Sequence, residues 1–355
     1  MNEINIDLFH EDLLANNFDG LWRIAPKVLT KAPTDTGVPY VWRWDEAIPR
    51  LMKAGDVIDP AKGGERRVLL LVNPALKGGY GTTHSLTASL QLIKPGEIAP
   101  AHRHTPNAIR FIIEGNGGYT TVNGERVVMN EGDLTLTPAW MWHDHGNQTD
   151  HNIIWLDGID ASLTTILRGM FFQPYTEPMQ PVTRDADHSR RLVGTGTMRP
   201  VRRKLDEGDY LPLIYRFEQA YDELQAQKKK GGDPHDGIYL EYLNPITGGS
   251  ALRTVSCYLQ LLRSGEHTQA HRHASSTVYF VFRGEGYSVI DGKKYAWKRG
   301  DTFCVPVWAL HEHVNTAAKD ETILFSYSDE PLMRAVGLYR EEAYAENSGH
   351  QRIAA

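Results

Sequence analysis

The stretch APAHRHTPNAIRFIIEG, residues 99–115, occurs a second time in this chain as TQAHRHASSTVYFVFRG, residues 268–284. A second pair follows each copy at nearly the same distance, GDLTLTPAWMWHDHGN at 132–147 and GDTFCVPVWALHEHVN at 300–315. The chain therefore contains a duplicated unit whose period is a whole domain rather than a short solenoid repeat. Its 355 residues leave room for two such domains.

Short runs of β-branched and aromatic residues lie between the two motifs of each unit. In the first unit these runs meet at Asn123-Gly124, and in the second they meet at Asp291-Gly292. Both dipeptides are strong hairpin signals, and strands at this spacing are typical of a β-barrel or sandwich. Helical periodicity is confined to the N-terminal segment, to residues 44–52 and to residues 215–230. We therefore expect an all-β protein with short N-terminal and inter-domain helices.

The composition is that of an ordinary globular protein, with 41% apolar and 23% charged residues. The N-terminal sequence MNEINIDLFHEDLLANN lacks the apolar core of a signal peptide, and no apolar run has membrane-spanning length. We therefore expect a cytoplasmic protein without a membrane partner. The net charge of -6 disfavours nucleic acid as a partner. Cys257 and Cys304 lack the spacing of a zinc site or a disulfide framework.

Each unit carries three histidines at metal-ligand spacing. Alternate side chains of a strand share one face, so His102-x-His104 projects two imidazoles together, and His143 comes from a later strand. Three imidazoles occupy one face of a metal and leave its other positions open, which is typical of a catalytic site. The alternative is that these histidines only pack or form hydrogen bonds inside the fold. The second unit repeats the set as His271, His273 and His311.

The order of glycine, H-x-H, glycine, proline and histidine resembles the two sequence motifs of the cupin superfamily. The matching residues are Gly96, His102, His104, Gly132, Pro138 and His143 in the first unit, and Gly265, His271, His273, Gly300, Pro306 and His311 in the second. This resemblance implies two cupin barrels, which are double-stranded β-helices of the jelly-roll type. We expect an N-terminal helical segment (1–60), a catalytic N-terminal cupin (61–185), a linker with a bridging helix (186–245), a C-terminal cupin (246–345) and a tail (346–355).

Most metal cupins carry a glutamate five residues after the second histidine, where this chain has Ile109 and Val278. A metal held by three neutral imidazoles keeps its full positive charge. It favours an anionic substrate that chelates through two oxygens and leaves a position for dioxygen. Imidazole ligands alone do not choose between iron, nickel, copper and zinc.

Three longer stretches resemble the gentisate 1,2-dioxygenase family, which includes salicylate and 1-hydroxy-2-naphthoate dioxygenases. They are GGERRVLLLVNPAL (63–76), IKPGEIAPAHRHTPNAIRFIIEG (93–115) and PAWMWHDHGN (138–147). The resemblance covers both units and the Trp42-Arg43-Trp44 segment. It implies a homotetrameric, non-haem Fe(II) enzyme that inserts both atoms of O2 between the carboxyl-bearing carbon and the adjacent hydroxyl-bearing carbon of a salicylate-type acid.

Arginines near the histidines are candidates for binding the acid. Arg110 lies six residues after His104, so the two-residue period places it on the same cavity, where a guanidinium can bind a carboxylate. Arg66 or Arg67 on the preceding strand is a second candidate. The alternative for each is an ordinary surface arginine.

Further pocket residues follow from the same period and from the family. His145 lies two residues beyond His143 and points inward, where it could bind the substrate or shuttle a proton, or else serve only as a hydrogen-bonded barrel histidine. Gln91 and Asp157 occupy positions that resemble the family's pocket, and Asp157 could orient His145. We therefore expect Arg110, His145 and Asp157 to be catalytic.

The chain departs from the family just before Gln91. The family commonly has a tryptophan, any residue, and then glycine or alanine, whereas this chain has Thr87, Ala88 and Ser89. We expect Thr87 and Ser89 to contact the substrate. The substrate then stays open between gentisate, salicylates with a 5-nitro, 5-halo or 5-amino group, and 1-hydroxy-2-naphthoate.

The second unit has Tyr279 where the first has Arg110, so we expect catalysis in the first barrel and a structural or interface role for the second. The alternative of another class is a non-catalytic bicupin that binds a small ligand, because fold alone does not confer function.

Overall fold

The computed structural model describes residues 5–34, 37–59, 67–76, 78–193 and 212–354. The chain divides into two units, of which the first ends at Thr34. That unit contains helices α1 (Ile6–Ala15) and α2 (Leu21–Val28). The Asn5 side chain caps α1 by accepting hydrogen bonds from the first backbone N–H groups of the helix. The second unit contains both barrels.

Two antiparallel sheets form the first barrel. The six-stranded sheet has the order β12 (Ile214–Tyr215), β8 (Leu134–Thr137), β5 (Ala108–Glu114), β10 (Ile153–Ile159), β3 (Thr87–Ile93) and β2 (Val68–Leu70). The five-stranded sheet has the order β11 (Phe172–Pro174), β4 (Ile98–His104), β9 (His143–Gly146), β6 (Gly118–Val122) and β7 (Glu125–Met129). Ile93 and Trp155 of the first sheet pack with Ala99 and Met129 of the second, so the sheets enclose one interior.

The second barrel repeats this arrangement. Its six-stranded sheet has the order β1 (Tyr40–Trp42), β19 (Thr302–Val305), β16 (Thr277–Arg283), β21 (Thr322–Ser328), β14 (Ser256–Leu262) and β13 (Ile238–Glu241). Its five-stranded sheet has the order β18 (Lys293–Lys298), β17 (Glu285–Ile290), β20 (His311–Asn315), β15 (His271–His273) and β22 (Glu341–Ala343). The expected all-β fold with two cupin barrels is confirmed.

Both predicted hairpins are present. Asn123 and Gly124 have φ values of 45° and 81° between β6 and β7, and Asp291 and Gly292 have 47° and 74° between β17 and β18. Positive φ at both central residues is the signature of the type I′ turn, whose twist matches that of the flanking strands.

Five helices accompany the barrels within the described residues: α3 (Trp44–Val57), α4 (Ala161–Ile166), α5 (His188–Val193), α6 (Phe217–Lys228) and α7 (Glu330–Ala335). α3 and α6 are the two helices expected around residues 44–52 and 215–230. Among the described residues we find no helix with the length and apolar character needed to span a membrane.

The six-stranded sheets of the two barrels pack against each other through their outer faces. Strand β5 shows the alternation, because Ile109 and Phe111 enter the shared core while Ile112 faces the interior of its own barrel. The Phe111 ring stacks on Phe325 of the second barrel, with ring centroids 4.2 Å apart. One hydrophobic core therefore joins both barrels, and the five-stranded sheets lie outside that shared core.

Each barrel also receives an arm from the segment that precedes the other barrel. Strand β1 precedes the first barrel but pairs with β19 of the second. Strand β12 precedes the second barrel but pairs with β8 of the first. After each arm the chain continues through a helix, α3 or α6, into the edge strand of its own barrel, β2 or β13. The segment 186–245, expected as a linker, thus contributes one strand to each barrel.

The two arms dock by the same contacts. Arg43 Nη1 lies 2.8 Å from an Asp301 carboxylate oxygen, and the Trp44 N–H donates to the other oxygen at 2.8 Å. In the first barrel, Arg216 and the N–H of Phe217 make the corresponding bonds to Asp133, at 2.6 and 3.0 Å. The duplication therefore extends to Trp42-Arg43-Trp44 and Tyr215-Arg216-Phe217, beyond the two motifs seen in the sequence.

Candidate active site

Three imidazoles converge inside the first barrel. His102 and His104 lie on β4 and His143 lies on β9, which pairs with β4 so that His102 is opposite His143. The ring centroid of His143 is 4.2 Å from that of His102 and 4.8 Å from that of His104. One nitrogen from each ring lies within 4.8 Å of the others, so the three can share one metal ion.

Backbone carbonyls orient all three rings. Nδ1 of His102, His104 and His143 lies 2.8, 2.8 and 2.9 Å from the carbonyl oxygens of Pro100, Pro106 and Met141. A carbonyl oxygen only accepts, so Nδ1 carries the proton and Nε2 keeps the lone pair that binds a metal. This donor set of neutral imidazoles fits a divalent transition metal such as iron(II).

Arg110 forms a buried ion pair on the six-stranded sheet of the first barrel, whereas the three histidines lie on its five-stranded sheet. Its side chain is 1% exposed, and its Nε lies 3.1 Å from Asp157 on the neighbouring strand β10. Its Nη1 donates to the Thr137 hydroxyl at 2.5 Å. Burial lowers the pKa of the Arg110 guanidinium, and the Asp157 carboxylate opposes that shift. Because arginine cannot lose its proton near neutral pH, the barrel that contains the three imidazoles also contains a fixed cation.

Polar side chains of β3 and β10 line the same interior. Thr87, Ser89, Gln91 and Ile93 alternate with residues of the shared core, and Ile93 packs inside the barrel. Gln91 Nε2 and the indole N–H of Trp155 are buried and have no hydrogen-bond partner among the described residues. Two donors are therefore available for oxygen atoms of a ligand, because buried polar groups are normally hydrogen-bonded.

His145 lies on β9 two residues after His143, as expected, and is fully buried. Its Nδ1 is 2.9 Å from the Thr120 hydroxyl, and its ring makes an edge contact with Trp155. The hydroxyl of Thr120 therefore lies at Nδ1 of His145. Asp157, which we expected to orient His145, forms an ion pair with Arg110.

The prediction that Arg67 lines the substrate pocket is wrong. Arg67 precedes β2 and points to the side of the sheet covered by α3, where Nη1 lies 2.9 Å from Glu97 and contacts the carbonyl oxygen of Gly55. Arg67 and Val68 are consecutive residues, so their side chains point to opposite faces of the sheet. Val68 pairs with Gln91 and therefore lies on the face that lines the barrel interior, whereas Arg67 does not. The other candidate, Arg66, lies outside the described residues.

The second barrel keeps the three imidazoles but changes their surroundings. The rings of His271, His273 and His311 again converge, with His311 4.4 Å from His271. Burial, followed by the neighbouring His273, lowers the pKa of His271 to about 2, so its imidazole is neutral. Tyr279 replaces Arg110 and stacks on Phe303 at 4.8 Å, so no arginine occupies this position.

A second difference concerns how His271 is held. The carbonyl oxygen of Gln269, which corresponds to that of Pro100, accepts instead from Nδ1 of His235 at 3.2 Å. Nδ1 of His271 is buried without a hydrogen-bond partner among the described residues. His271 therefore lacks the carbonyl contact that orients all three ligands of the first site, whereas Nδ1 of His273 and of His311 lies 3.0 Å from the carbonyl oxygens of Ser275 and Ala309.

Sequence reasoning missed Trp155, Thr120 and Thr137. Trp155 stands two residues before Asp157, and the two-residue period that placed Arg110 could have found it. Thr120 and Thr137 came into contact with His145 and Arg110 only through strand pairing.

The chain matches the cupin domain family model twice, at residues 89–159 and 258–327. It is 43% identical to a 5-aminosalicylate 1,2-dioxygenase from a Comamonas species, covering 99% of this chain and 94% of the relative. It is 40% identical to gentisate 1,2-dioxygenase 1 of Aquipseudomonas alcaligenes, covering 94% and 95%. Salicylate 1,2-dioxygenase from Pseudoaminobacter salicylatoxidans, solved as an adduct with gentisate, superposes with a TM-score of 0.86 at 30% identity, covering 96% and 94%.

Fold and site thus define a protein of two cupin barrels, each with three converging imidazoles. Within that class, the chain belongs to the gentisate and salicylate 1,2-dioxygenase family. It is a ring-cleaving dioxygenase.

Proposed function

We propose that the first barrel holds iron(II) on Nε2 of His102, His104 and His143 and opens the ring of a salicylate carrying an amino or hydroxyl group at position 5. The observation that carries this proposal is the buried Arg110 in the barrel that contains the three oriented imidazoles. The relatives at 43% and 40% identity are named for 5-aminosalicylate and gentisate, and both acids fit this description.

The charges of the site suit such an acid. A salicylate-type substrate chelates a metal through its carboxylate and ortho-hydroxyl oxygens, and Arg110 supplies a charge-assisted donor for the carboxylate. Gln91 Nε2 and the Trp155 N–H are further donors for its oxygen atoms. Iron(II), when bound, supplies the reactivity toward dioxygen that protein side chains lack.

The wall formed by Thr87 and Ser89 supports a polar 5-substituent. Both side chains are buried, at 3% and 1% exposure, and lie on the strand face that carries Gln91. The Ser89 hydroxyl can exchange a hydrogen bond with an amino or hydroxyl group, and the Thr87 hydroxyl, which lies 3.0 Å from that of Ser162, can form one more.

His145 is the residue proposed to move the substrate's proton. The Thr120 hydroxyl donates to the sulfur of Met129 at 3.3 Å, so it accepts from the Nδ1–H of His145 at 2.9 Å. The lone pair then lies on Nε2, which is the atom that can take the proton of the substrate's ortho-hydroxyl group. Asp157 acts through Arg110, because its carboxylate fixes the plane of the guanidinium.

Oxygen uptake by anaerobically purified, iron-loaded protein tests this function across gentisate, 5-aminosalicylate, salicylate and 1-hydroxy-2-naphthoate. We expect the highest kcat/KM for 5-aminosalicylate and gentisate. His104→Ala should lose both the iron of the first barrel and oxygen uptake. His273→Ala is the matched control at the corresponding position of the second barrel and should retain most activity. No oxygen uptake with any of the four acids would contradict the proposal, and inactivation by His273→Ala with the first iron retained would move catalysis to the second barrel.

A second candidate is 1-hydroxy-2-naphthoate, since Thr87, which lines the barrel interior, leaves more room than the tryptophan that the family commonly has there. A relative at 36% identity, from a Nocardioides strain, is named for that substrate. The same panel of acids distinguishes the two candidates, because a pocket that admits the fused ring would give the naphthoate the highest kcat/KM.

We also propose that the protein is a homotetramer, on the basis of the family resemblance. Light scattering would test this.

A further inference from the structure

A third group of potential metal ligands lies outside both barrel interiors. It consists of His267 in the loop before β15, Glu312 on β20, and His350 near the C-terminus, and we call it the tail cluster. Glu312 stands between His311 and His313, but its side chain points to the opposite face of the strand. The tail cluster is therefore separate from the triad of the second barrel.

Two imidazoles approach one buried carboxylate. Nε2 of His267 lies 3.5 Å from one oxygen of Glu312, and Nδ1 of His350 lies 3.5 Å from the other. The two imidazole ring centroids are 4.1 Å apart. Glu312 is 1% exposed, whereas the histidine side chains are 38% and 32% exposed, so the group is open to ions from solvent on one side.

These separations are too long for hydrogen bonds between nitrogen and oxygen, which cluster near 2.9 Å. They match the distance between two ligands of one tetrahedral ion, because metal bonds of roughly 2.0 to 2.2 Å place neighbouring ligand atoms about 3.3 to 3.6 Å apart. Nδ1 of His350 is buried and has no hydrogen-bond partner among the described residues. One ligand atom from each of the three residues lies within 4.8 Å of the others, so the three can contact one shared cation.

The carboxylate is held from its other side. The backbone N–H of Gln351 donates to both oxygens of Glu312, at 3.2 and 3.3 Å. The Gln351 side chain in turn accepts from the N–H of Gly292 and donates to the carbonyl of Val289. The backbone of His267 forms a bridge with Val314, so two of the three ligand-bearing segments are fixed relative to β20.

The first barrel shows what this arrangement looks like without histidines. Asp144 occupies the position of Glu312 and accepts from the N–H of Gln180 at 3.0 Å. The Gln180 side chain bonds Gly124 and Thr121 as Gln351 bonds Gly292 and Val289. Anchoring the tail segment therefore needs only the carboxylate and the glutamine.

The residues that correspond to the two histidines are apolar in the first barrel. Ile98 stands at the position of His267, and Met179 precedes Gln180 as His350 precedes Gln351. The second barrel thus has an imidazole at both positions that face the carboxylate. The carboxylate and the glutamine suffice to hold the C-terminal segment, so holding that segment does not explain why either histidine is present.

We propose that the tail cluster binds a divalent first-row transition ion, zinc(II) above all, through Nε2 of His267, the Glu312 carboxylate and Nδ1 of His350. Two imidazoles and a carboxylate form a ligand set that zinc prefers, and water completes its coordination. The ion joins the loop before β15, strand β20 and the C-terminal segment. Because β22 of that segment pairs with β15, the bound ion fastens the outer edge of the second barrel.

Zinc titration of the full-length protein, followed by a competing chromophoric chelator, tests this site. We expect the wild-type protein to bind one more equivalent of zinc than either His350→Gln or His267→Gln. In both variants the affinity of the tail cluster for zinc should fall by more than about 100-fold. Loss of a residue that only supports a ligand costs roughly 10- to 100-fold, and here a ligand itself is removed. His151→Gln is the matched control, since His151 is also an exposed histidine beside a carboxylate, that of Asp150, but the described part of the chain places no third ligand with them.

Thermal unfolding gives a second measurement. Zinc at about a hundredfold excess over its dissociation constant should raise Tm of the wild-type protein and of His151→Gln by on the order of 5 °C more than that of the two cluster variants. Equal zinc stoichiometry and equal Tm shifts in all four proteins would overturn the proposal. His267→Gln alters a partly exposed side chain and keeps the test available if His350→Gln does not fold. Ring cleavage should be normal in both cluster variants, so this result is independent of the proposed substrate.

Discussion

At the residue scale, the pair of Arg110 and Asp157 dominates the electrostatics of the first barrel. Both side chains are nearly inaccessible, at 1% and 3% exposure, and each is the other's neighbour across paired strands. A buried ion pair is expensive to separate, because removing one partner leaves the other charge without compensation. The arginine therefore stays in place and charged whether or not substrate is bound.

Arg110→Ala should lower kcat/KM for the preferred acid while the iron content of the first barrel stays normal. Removing a charge-assisted partner of a buried anion costs about 2 to 5 kcal/mol, which corresponds to roughly 30- to 4,000-fold. Arg110→Lys should restore only part of this, because an ammonium lacks the planar fork of the guanidinium. Steady-state kinetics with metal analysis measures both.

The double variant Arg110→Met with Asp157→Leu separates binding from stability. Replacing both charges removes the uncompensated carboxylate, so the double variant should be more stable than Arg110→Ala in denaturant unfolding, yet equally poor in kcat/KM. Near-normal kcat/KM in the double variant would show that Arg110 does not bind the substrate.

Asp236, beside the second barrel's strand β13, should make stability depend on pH. Burial, followed by the carboxylates of Asp233 and Glu341, raises its pKa to about 8. The folded state therefore holds a proton that the unfolded state releases near pH 4, and through this group wild-type stability falls as pH rises from about 4 to 8. Asp236→Asn should stabilise the protein more at pH 8.5 than at pH 5.5, as measured by thermal unfolding. An equal gain at both pH values would refute this assignment.

At the element scale, the exchanged arms explain two glycines at the start of the second motif. Gly132 has φ +84°, and a Cβ there would lie 2.6 Å from Cγ of Phe217 on the arm. Gly300 has φ +90°, and a Cβ would lie 2.6 Å from Cγ of Trp44. The left-handed turn and the close approach of the arm both require glycine.

Gly132→Ala and Gly300→Ala should each destabilise the protein by about 2 to 4 kcal/mol, because the left-handed conformation costs about 1 to 2 kcal/mol and the arm must shift in addition. Gly96→Ala is the control, since Gly96 has φ +77° but open space around its Cβ position. Denaturant unfolding should show only the conformational cost in that variant. Equal losses in all three would mean that arm docking contributes nothing at these positions.

At the scale of the whole molecule, the two barrels share one core, so we expect them to unfold together. Phe111 is fully buried and contacts Phe280, Phe282 and Phe325 of the second barrel. Phe111→Ala should cost about 3 to 5 kcal/mol. Val128→Ala, on an exposed face of β7, should cost little.

Differential scanning calorimetry of the wild-type protein should show one unfolding transition for the two barrels together. Phe111→Ala should move this whole transition to lower temperature. Two separate transitions in the wild-type protein, with Phe111→Ala shifting only one, would show that the shared core does not couple the barrels.

The amino-acid sequence by itself determined the duplication, the hairpins, the three histidines of each barrel and the inward position of Arg110. These are properties of local periodicity, because the side-chain alternation of a strand and the φ values of an Asn-Gly turn depend only on neighbouring residues. Family membership followed from the same local motifs and was confirmed by the relatives.

Tertiary structure alone decided which residues meet. It placed Arg67 against Glu97, Thr120 against His145, and Asp157 against Arg110. It also paired strand β1 with the second barrel and strand β12 with the first. It also brought His350 to Glu312 and His267, residues that no spacing in the sequence relates. The physical reason is that these contacts depend on strand register and on which sheet face meets a neighbouring element, and both are set by the packing of distant segments rather than by local sequence.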